Sequence, residues 1–119
     1  MKIAVTSKGK DLDSDLDPRF GRASYILVID TDTFEYEVID NSENANAFKG
    51  AGIQAAASVS DKKAQVLLTG FCGPNAFKTL NAAGVRIADN AKGTVKEAVQ
   101  DFLDGKIKYA ASPNTDGHW

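Results

Sequence analysis

The chain is poor in the residues that most often carry chemistry. Its 119 residues include one cysteine, Cys72, and one histidine, His118. A lone cysteine excludes an internal disulfide and fits a reducing compartment. A lone histidine close to the C-terminus leaves no Ser-His-Asp or Cys-His arrangement unless the terminus folds back. Long apolar runs are also missing. The longest pieces, Tyr25-Ile26-Leu27-Val28-Ile29 and Ala55-Ala56-Ala57, fall far short of the roughly 18 residues a membrane-spanning helix needs. Met1 to Thr6 has no signal-peptide stretch and reads as a first strand, so cytoplasmic residence is the expectation. Excess charge is absent too. Fourteen basic and sixteen acidic residues give a net charge of -2, which supplies no electrostatic footprint for nucleic acid.

What is present is enough for one packed domain, since 43% of the residues are apolar. Lys2 to Thr6 reads as a buried strand, followed by a long polar loop to about Arg22. Tyr25 to Ile29 and Phe34 to Ile39 read as a hairpin, with Asp30-Thr31-Asp32-Thr33 supplying the turn. Gly50 to Lys62 is rich in alanine and reads as a helix that packs closely on a sheet. Gln65 to Thr69 is a strand, Asn75 to Ala83 a helix closed by Gly84, and Val85 to Ala88 a short strand. Gly93 to Asp104 is a final helix with Val95, Ala98, Val99, Phe102 and Leu103 on one face. Residues 108–119 form a polar tail, expected to be loosely ordered.

Right-handed crossovers and adjacent pairing of the hairpin then predict a mixed five-stranded α/β sheet of order 3-2-1-4-5 with strand 2 antiparallel. In open sheets, ligands bind beyond the carboxyl ends of the parallel strands at the topological switch point. The loops that begin at Ser7, Asn41, Gly70 and Asp89 are therefore the place to look.

Several constellations in these loops invite a reading. Asp11, Asp13, Asp15 and Asp17 alternate like the start of a calcium loop, but Leu16 stands where the turn glycine belongs and Arg22 where the glutamate belongs. Gly50-Ala51-Gly52 with Ala55 matches a relaxed dinucleotide fingerprint. It lies too far from the preceding strand, and no acidic residue ends the following one, so a nicotinamide cofactor is not supported; its glycines still allow close approach of an anion or of the sheet. Arg19-Phe20-Gly21-Arg22 puts two guanidiniums beside an aromatic and a glycine, which suits an anionic ligand, or else an arginine pairing with neighbouring aspartates. Gly70-Phe71-Cys72-Gly73-Pro74-Asn75 sets a thiol just before a helix, where the dipole and open amides favour a thiolate able to bind a soft metal; the alternative is a small apolar residue in a tight turn. The strands end in Thr6, Thr69 and Ala88, so no carboxylate cluster for two-metal nuclease chemistry is built.

Taken in order, Asp17-Pro18-Arg19-Phe20-Gly21-Arg22-Ala23, the Asn41 and Gly50-x-Gly52 loop, Gly70-Phe71-Cys72-Gly73-Pro74-Asn75-Ala76-Phe77 and Gly93-Thr94-Val95-x-Glu97-Ala98 resemble the nitrogenase iron-molybdenum cofactor accessory family. That family includes NifX, the NafY core, the C-terminal domain of NifB and the orange protein of sulfate reducers. The resemblance covers about residues 1–107, which it identifies as a dinitrogenase iron-molybdenum cofactor biosynthesis-like domain. It implies a ribonuclease H-like three-layer sandwich and a non-catalytic role in binding, carrying or storing an anionic metal-sulfur cluster. The cluster would be of the Mo-Cu-S or Fe-Mo-S type and held mainly without covalent bonds, or the ligand would be a thiomolybdate. Donor or acceptor proteins for the cluster are implied as partners, and nucleic acid and membrane are not.

The site implied by the loops and the resemblance comprises Arg19, Phe20, Gly21, Arg22, Asn41, Gly50, Gly52, Gly70, Phe71, Cys72, Gly73 and Asn75, with Cys72 as the candidate metal ligand; ligation by Cys72 or His118 is left open. Two other classes stay open at this stage: a small regulatory or interaction domain with a vestigial pocket, and a phosphoryl-transfer enzyme using the arginines and glycine loops.

Overall fold

A computed structural model describes residues 1–46 and 50–113. Five strands form one sheet in the order β3-β2-β1-β4-β5, as expected from the sequence. They are β1 Lys2–Ser7, β2 Tyr25–Asp30, β3 Tyr36–Asp40, β4 Val66–Leu68 and β5 Arg86–Ala88. The antiparallel strand is β2, paired with β1 through Ala4–Val28 and with β3 through Leu27–Val38. Parallel pairing joins β1 to β4 through Ala4–Leu67 and β4 to β5 through Leu67–Ile87. β1, β3, β4 and β5 therefore share a direction, and their carboxyl ends line one edge of the sheet.

Alternation along the strands divides the core into two layers. Ala4, Ile26, Val28, Leu67 and Ile87 face α2 (Ala51–Asp61) and α3 (Pro74–Ala82), which contribute Ala55, Ala56, Val59, Ala76, Phe77 and Leu80. Ile3, Val5, Leu27, Ile29, Val66 and Leu68 face α4 (Val95–Leu103), with Val95, Ala98 and Val99 inserted. The alanines of α2 let its backbone lie close to both the sheet and α3. The result is a three-layer sandwich in which α2, α3 and α4 all begin at the edge where the parallel strands end.

Three details depart from the expectations. A short helix, α1 (Ser42–Ala45), follows β3 and buries no residue, so no apolar periodicity announces it. Phe34 does not extend β3. It sits in the hairpin turn with φ 59 and donates its N–H to Asp30 O at 2.7 Å, while its ring packs on the α4 side of the core. The tail is not loose throughout, because Tyr109 bridges Ala88 and Ala110 N–H donates to Ile87 O at 2.7 Å, covering the outer edge of β5. His118 lies outside the described residues.

Candidate functional site

The site is assembled where the β1–β2 loop meets the β4–α3 loop. Thr6 and Thr69 each stand one residue beyond the last β1–β4 pair, Val5–Leu68, and their hydroxyls are 3.0 Å apart, both buried. Thr6 Oγ1 also donates to Asp17 O at 2.6 Å, and Asp17 N–H donates to Thr6 O at 3.0 Å. These bonds bring the far end of the long loop back over the strand ends. From there the two loops are joined directly: Phe71 N–H donates to Pro18 O at 2.6 Å and Phe20 N–H to Phe71 O at 3.2 Å, forming a parallel bridge between Arg19 and Phe71. Gly70 makes this possible, since a side chain there would meet Pro18 atoms at 2.6 to 2.9 Å.

The same loop is pressed against α2. Gly21 adopts φ +94 and lies against the Gly52 backbone, and Gly52 in turn packs on the Ala76 methyl of α3. The first turns of α2 and α3 are thus neighbours. Neither carries a side-chain cap: Gly50 precedes α2 in a left-handed conformation, and Gly73 precedes α3 in an extended one. The amides before the first intrahelical bonds, Gln54 N to Gly50 O and Phe77 N to Gly73 O, are directed out of the helix ends. α4 is different, with a complete capping box in which Thr94 Oγ1 accepts from Glu97 N–H and Glu97 accepts from Thr94 N–H.

Arg19 reaches the surface of this crevice. Its Nε and Nη2 donate to Asp17 Oδ1 and Oδ2, each at 3.3 Å; the Arg19 side chain is 48% exposed and that of Asp17 only 3%. Arg22 is engaged otherwise, with Nη1 donating to Ala45 O at 3.0 Å and so closing the end of α1. Asn41 is buried as a bracket. Its amide donates to Ala23 O at 2.8 Å and to Gly21 O at 3.3 Å, and its oxygen accepts from Asn44 at 3.1 Å. Phe20 is buried in the core, Phe71 is half-buried at the mouth, and Gly50 and Asn75 are exposed.

Cys72 is the residue whose surroundings differ most from expectation. Its side chain is buried among Phe20, Ala76 and Phe77, and its thiol is directed to Gly73 O at 3.8 Å. Burial, aided by the nearby Asp89 carboxylate, pushes the thiol up to about 12. Burial therefore favours the neutral thiol, against the thiolate suggested in the sequence by the nearby helix start. Among the described residues no group of three or more His, Cys, Asp or Glu side chains could hold a metal ion.

The structure thus brings together Arg19, Phe20, Gly21, Gly52, Gly70, Phe71, Cys72 and Gly73, with Gly50 and Asn75 at the rim and Asn41 and Arg22 bracing from behind. Sequence reasoning missed Thr6, Asp17 and Thr69 as members. The signal was present in Asp17-Pro18-Arg19, where a carboxylate two residues before an arginine can hold both its amide and its guanidinium. The family model described as dinitrogenase iron-molybdenum cofactor matches residues 1–105.

The chain belongs to the dinitrogenase iron-molybdenum cofactor family.

Within this family, the apo form of the orange protein of Desulfovibrio gigas is 47% identical, covers 96% of each chain and has a TM-score of 0.92. A Thermotoga protein described as NifB is 36% identical over 98% of each chain, with a TM-score of 0.84. A Methanocaldococcus jannaschii protein described as a dinitrogenase is 18% identical with a TM-score of 0.70, a likeness of fold. No curated protein sequence matches the chain.

Proposed function

We propose that the protein is a non-catalytic carrier or store for an anionic, molybdenum-containing metal-sulfur cluster, of the Mo-Cu-S or Fe-Mo-S type, held at the edge where β1 and β4 end. The observation that carries this reading is the pairing of Arg19 with Phe71. It fixes a half-exposed guanidinium beside the uncapped first turns of α2 and α3, so that side-chain and backbone donors converge on one crevice. Such a crevice suits a preformed anion that brings its own metal-sulfur bonds. The donors recognise the outer sulfides, and the half-buried Phe71 covers part of the surface against water. The family's description as dinitrogenase iron-molybdenum cofactor supports a cluster containing molybdenum. On this reading Cys72 packs the wall of the site, and partner proteins deliver or receive the cluster.

Anaerobic purification from the native host, followed by visible spectroscopy and metal analysis, tests this. Coloured protein containing molybdenum with copper or iron is the expected result, and metal-free protein titrated with copper and tetrathiomolybdate should develop a saturable chromophore. Colourless, metal-free native protein that also gives no saturable titration overturns the reading.

A further inference from the structure

Asp17 is a buried carboxylate at the mouth of the crevice, and its ion-pair partner is the half-exposed Arg19. Its backbone is anchored on both sides, by Thr6 Oγ1 to Asp17 O at 2.6 Å and by Asp17 N–H to Thr6 O at 3.0 Å. Pro18 follows, with its carbonyl occupied by the Phe71 N–H, so the turn that carries Arg19 is tied to β1, β4 and the β4–α3 loop together. On this frame Asp17 Oδ1 accepts the Arg19 N–H at 3.0 Å and the Arg19 Nε–H at 3.3 Å, and Oδ2 accepts from Nη2 at 3.3 Å. The guanidinium is gripped along one side. Nη1 has no hydrogen-bond partner among the described residues and lies on the exposed side chain.

We propose that Asp17 sets which anion the site accepts. It holds Arg19 as a fixed donor while offsetting its charge, and so selects a large, weakly hydrated tetrahedral thioanion over an oxyanion of the same charge and shape. The inference rests on the cluster reading above and adds the residue responsible for selectivity. Among the described residues of the crevice, the Arg19 guanidinium is offset by the Asp17 carboxylate, and the Asp89 carboxylate acts on the neighbouring Cys72. These residues therefore offer directed donors with little surplus positive charge. An oxyanion such as molybdate gives up strong hydration on binding, and only surplus charge or a full shell of donors offsets that loss. Tetrathiomolybdate has the same charge and a larger, softer surface. It loses less hydration and gains contact with Phe71, which is bridged to Arg19.

The choice of Asp17→Asn makes the test one of sign. Asparagine keeps the shape and can still accept the Arg19 N–H, but it removes the negative charge that offsets Arg19 and releases the fork. If Asp17 only lowers the potential, the variant binds every anion more tightly. If Asp17 positions Arg19, tetrathiomolybdate binding weakens about tenfold, the scale of one charge-assisted hydrogen bond, while molybdate gains.

Metal-free wild type and Asp17→Asn are titrated with tetrathiomolybdate by visible absorption, alone and against excess molybdate, and the Arg19 Nε–H resonance is followed by NMR. The expected results are a wild type that prefers tetrathiomolybdate, a variant whose preference falls at least tenfold, and an Nε–H signal that is resolved in the wild type and lost to exchange in the variant. An unchanged preference, or tighter tetrathiomolybdate binding by the variant, overturns the proposal. Should Asp17→Asn fail to fold, Arg19→Lys keeps the charge without the fork and carries the same expectation; wild-type preference in Arg19→Lys overturns it. Wild type that takes both anions equally overturns the selectivity alone, whereas wild type that takes neither overturns the cluster reading with it.

Discussion

Gly21 and Gly52 meet backbone to backbone. A methyl group placed on Gly21 would lie 2.9 Å from both Cα and N of Gly52, and Gly21 also has φ +94. This one contact joins the β1–β2 loop to the first turn of α2, and Gly52 passes it on to Ala76 of α3.

Gly21→Ala is consequently expected to be costly through two separate effects. The left-handed backbone conformation costs an L-residue about 1–2 kcal/mol, and the methyl must displace backbone rather than a flexible side-chain end. A loss of at least about 2 kcal/mol in stability, read by urea unfolding, is the expected outcome. Gly84→Ala is the control, because it shares the positive φ at +80 but has open space around it. Equal losses in the two variants would show that the Gly21–Gly52 approach contributes nothing beyond the φ.

The Cys72 thiol gives a pH prediction whose sign follows from its direction. Its ordinary value of 9.0 is raised to about 12 in the fold, so between those limits the unfolded chain has released a proton that the folded chain retains. Stability therefore falls as pH rises from about 9 towards 12. Cys72→Ala should flatten that alkaline decline, measured as the difference in urea midpoint between pH 8 and pH 10.5. Iodoacetamide at pH 8 should alkylate the native thiol far more slowly than the unfolded one. Rapid native alkylation would mean that the sulfur is open and ionised.

The sheet order was legible because it depends on short apolar strands separated by helical patterns, and right-handed crossovers leave few ways to arrange them. The loop cluster was legible for the same reason, since the loops that follow β1, β3, β4 and β5 start at one edge once those strands share a direction. Side-chain roles within the cluster were less accessible. Asn41 looks in sequence like any loop amide, and only the fold shows that it braces Gly21 and Ala23 from inside. Cys72 looks exposed to a helix dipole, and only the packing of Phe20, Ala76 and Phe77 shows that desolvation prevails. Asp17 belongs to a run of alternating aspartates and is set apart only by standing two residues before Arg19, whose amide and guanidinium it holds. α1 has too few residues, and no buried face, to generate a pattern.

The C-terminal segment offers a stability test remote from the site. Tyr109 stacks under the Arg86 guanidinium, with Cζ 3.8 Å from the ring centroid, and meets Phe102 edge-on at 5.7 Å. Its backbone bridge to Ala88 covers the edge of β5. Tyr109→Ala should cost about 1–2 kcal/mol, the sum expected for an exposed cation-π contact and an aromatic pair. Hydrogen exchange at the Ala110 amide, bonded to Ile87 O, should accelerate in the variant, while that at Leu67 in the central pairing of β1 and β4 should follow only the global loss. Unchanged exchange at Ala110 would show that the strand bridge holds the segment without the ring.

The last prediction sets the arginines against the cysteine. A metal–thiolate bond at Cys72 would first require removing a proton held at about 12, which costs several kcal/mol at neutral pH, and would then require bringing the metal to a sulfur buried in the core. An anion that carries its own sulfides avoids both. It needs the Arg19 donor, the support that Arg22 gives to α1 by closing on Ala45 O, and the amides at the starts of α2 and α3. In titrations with copper and tetrathiomolybdate, Cys72→Ser should stay within about threefold of wild type, whereas Arg19→Ala combined with Arg22→Ala should lose at least about tenfold, the scale of one or more charge-assisted hydrogen bonds. Removing Arg19 also leaves the Asp17 carboxylate buried without its partner, so thermal unfolding of the double variant must be followed in parallel, and the titration run well below its midpoint. Wild-type binding by the double variant together with a lost chromophore in Cys72→Ser would mean that the cluster is ligated by the thiolate, and that the donors at the crevice mouth serve the fold alone.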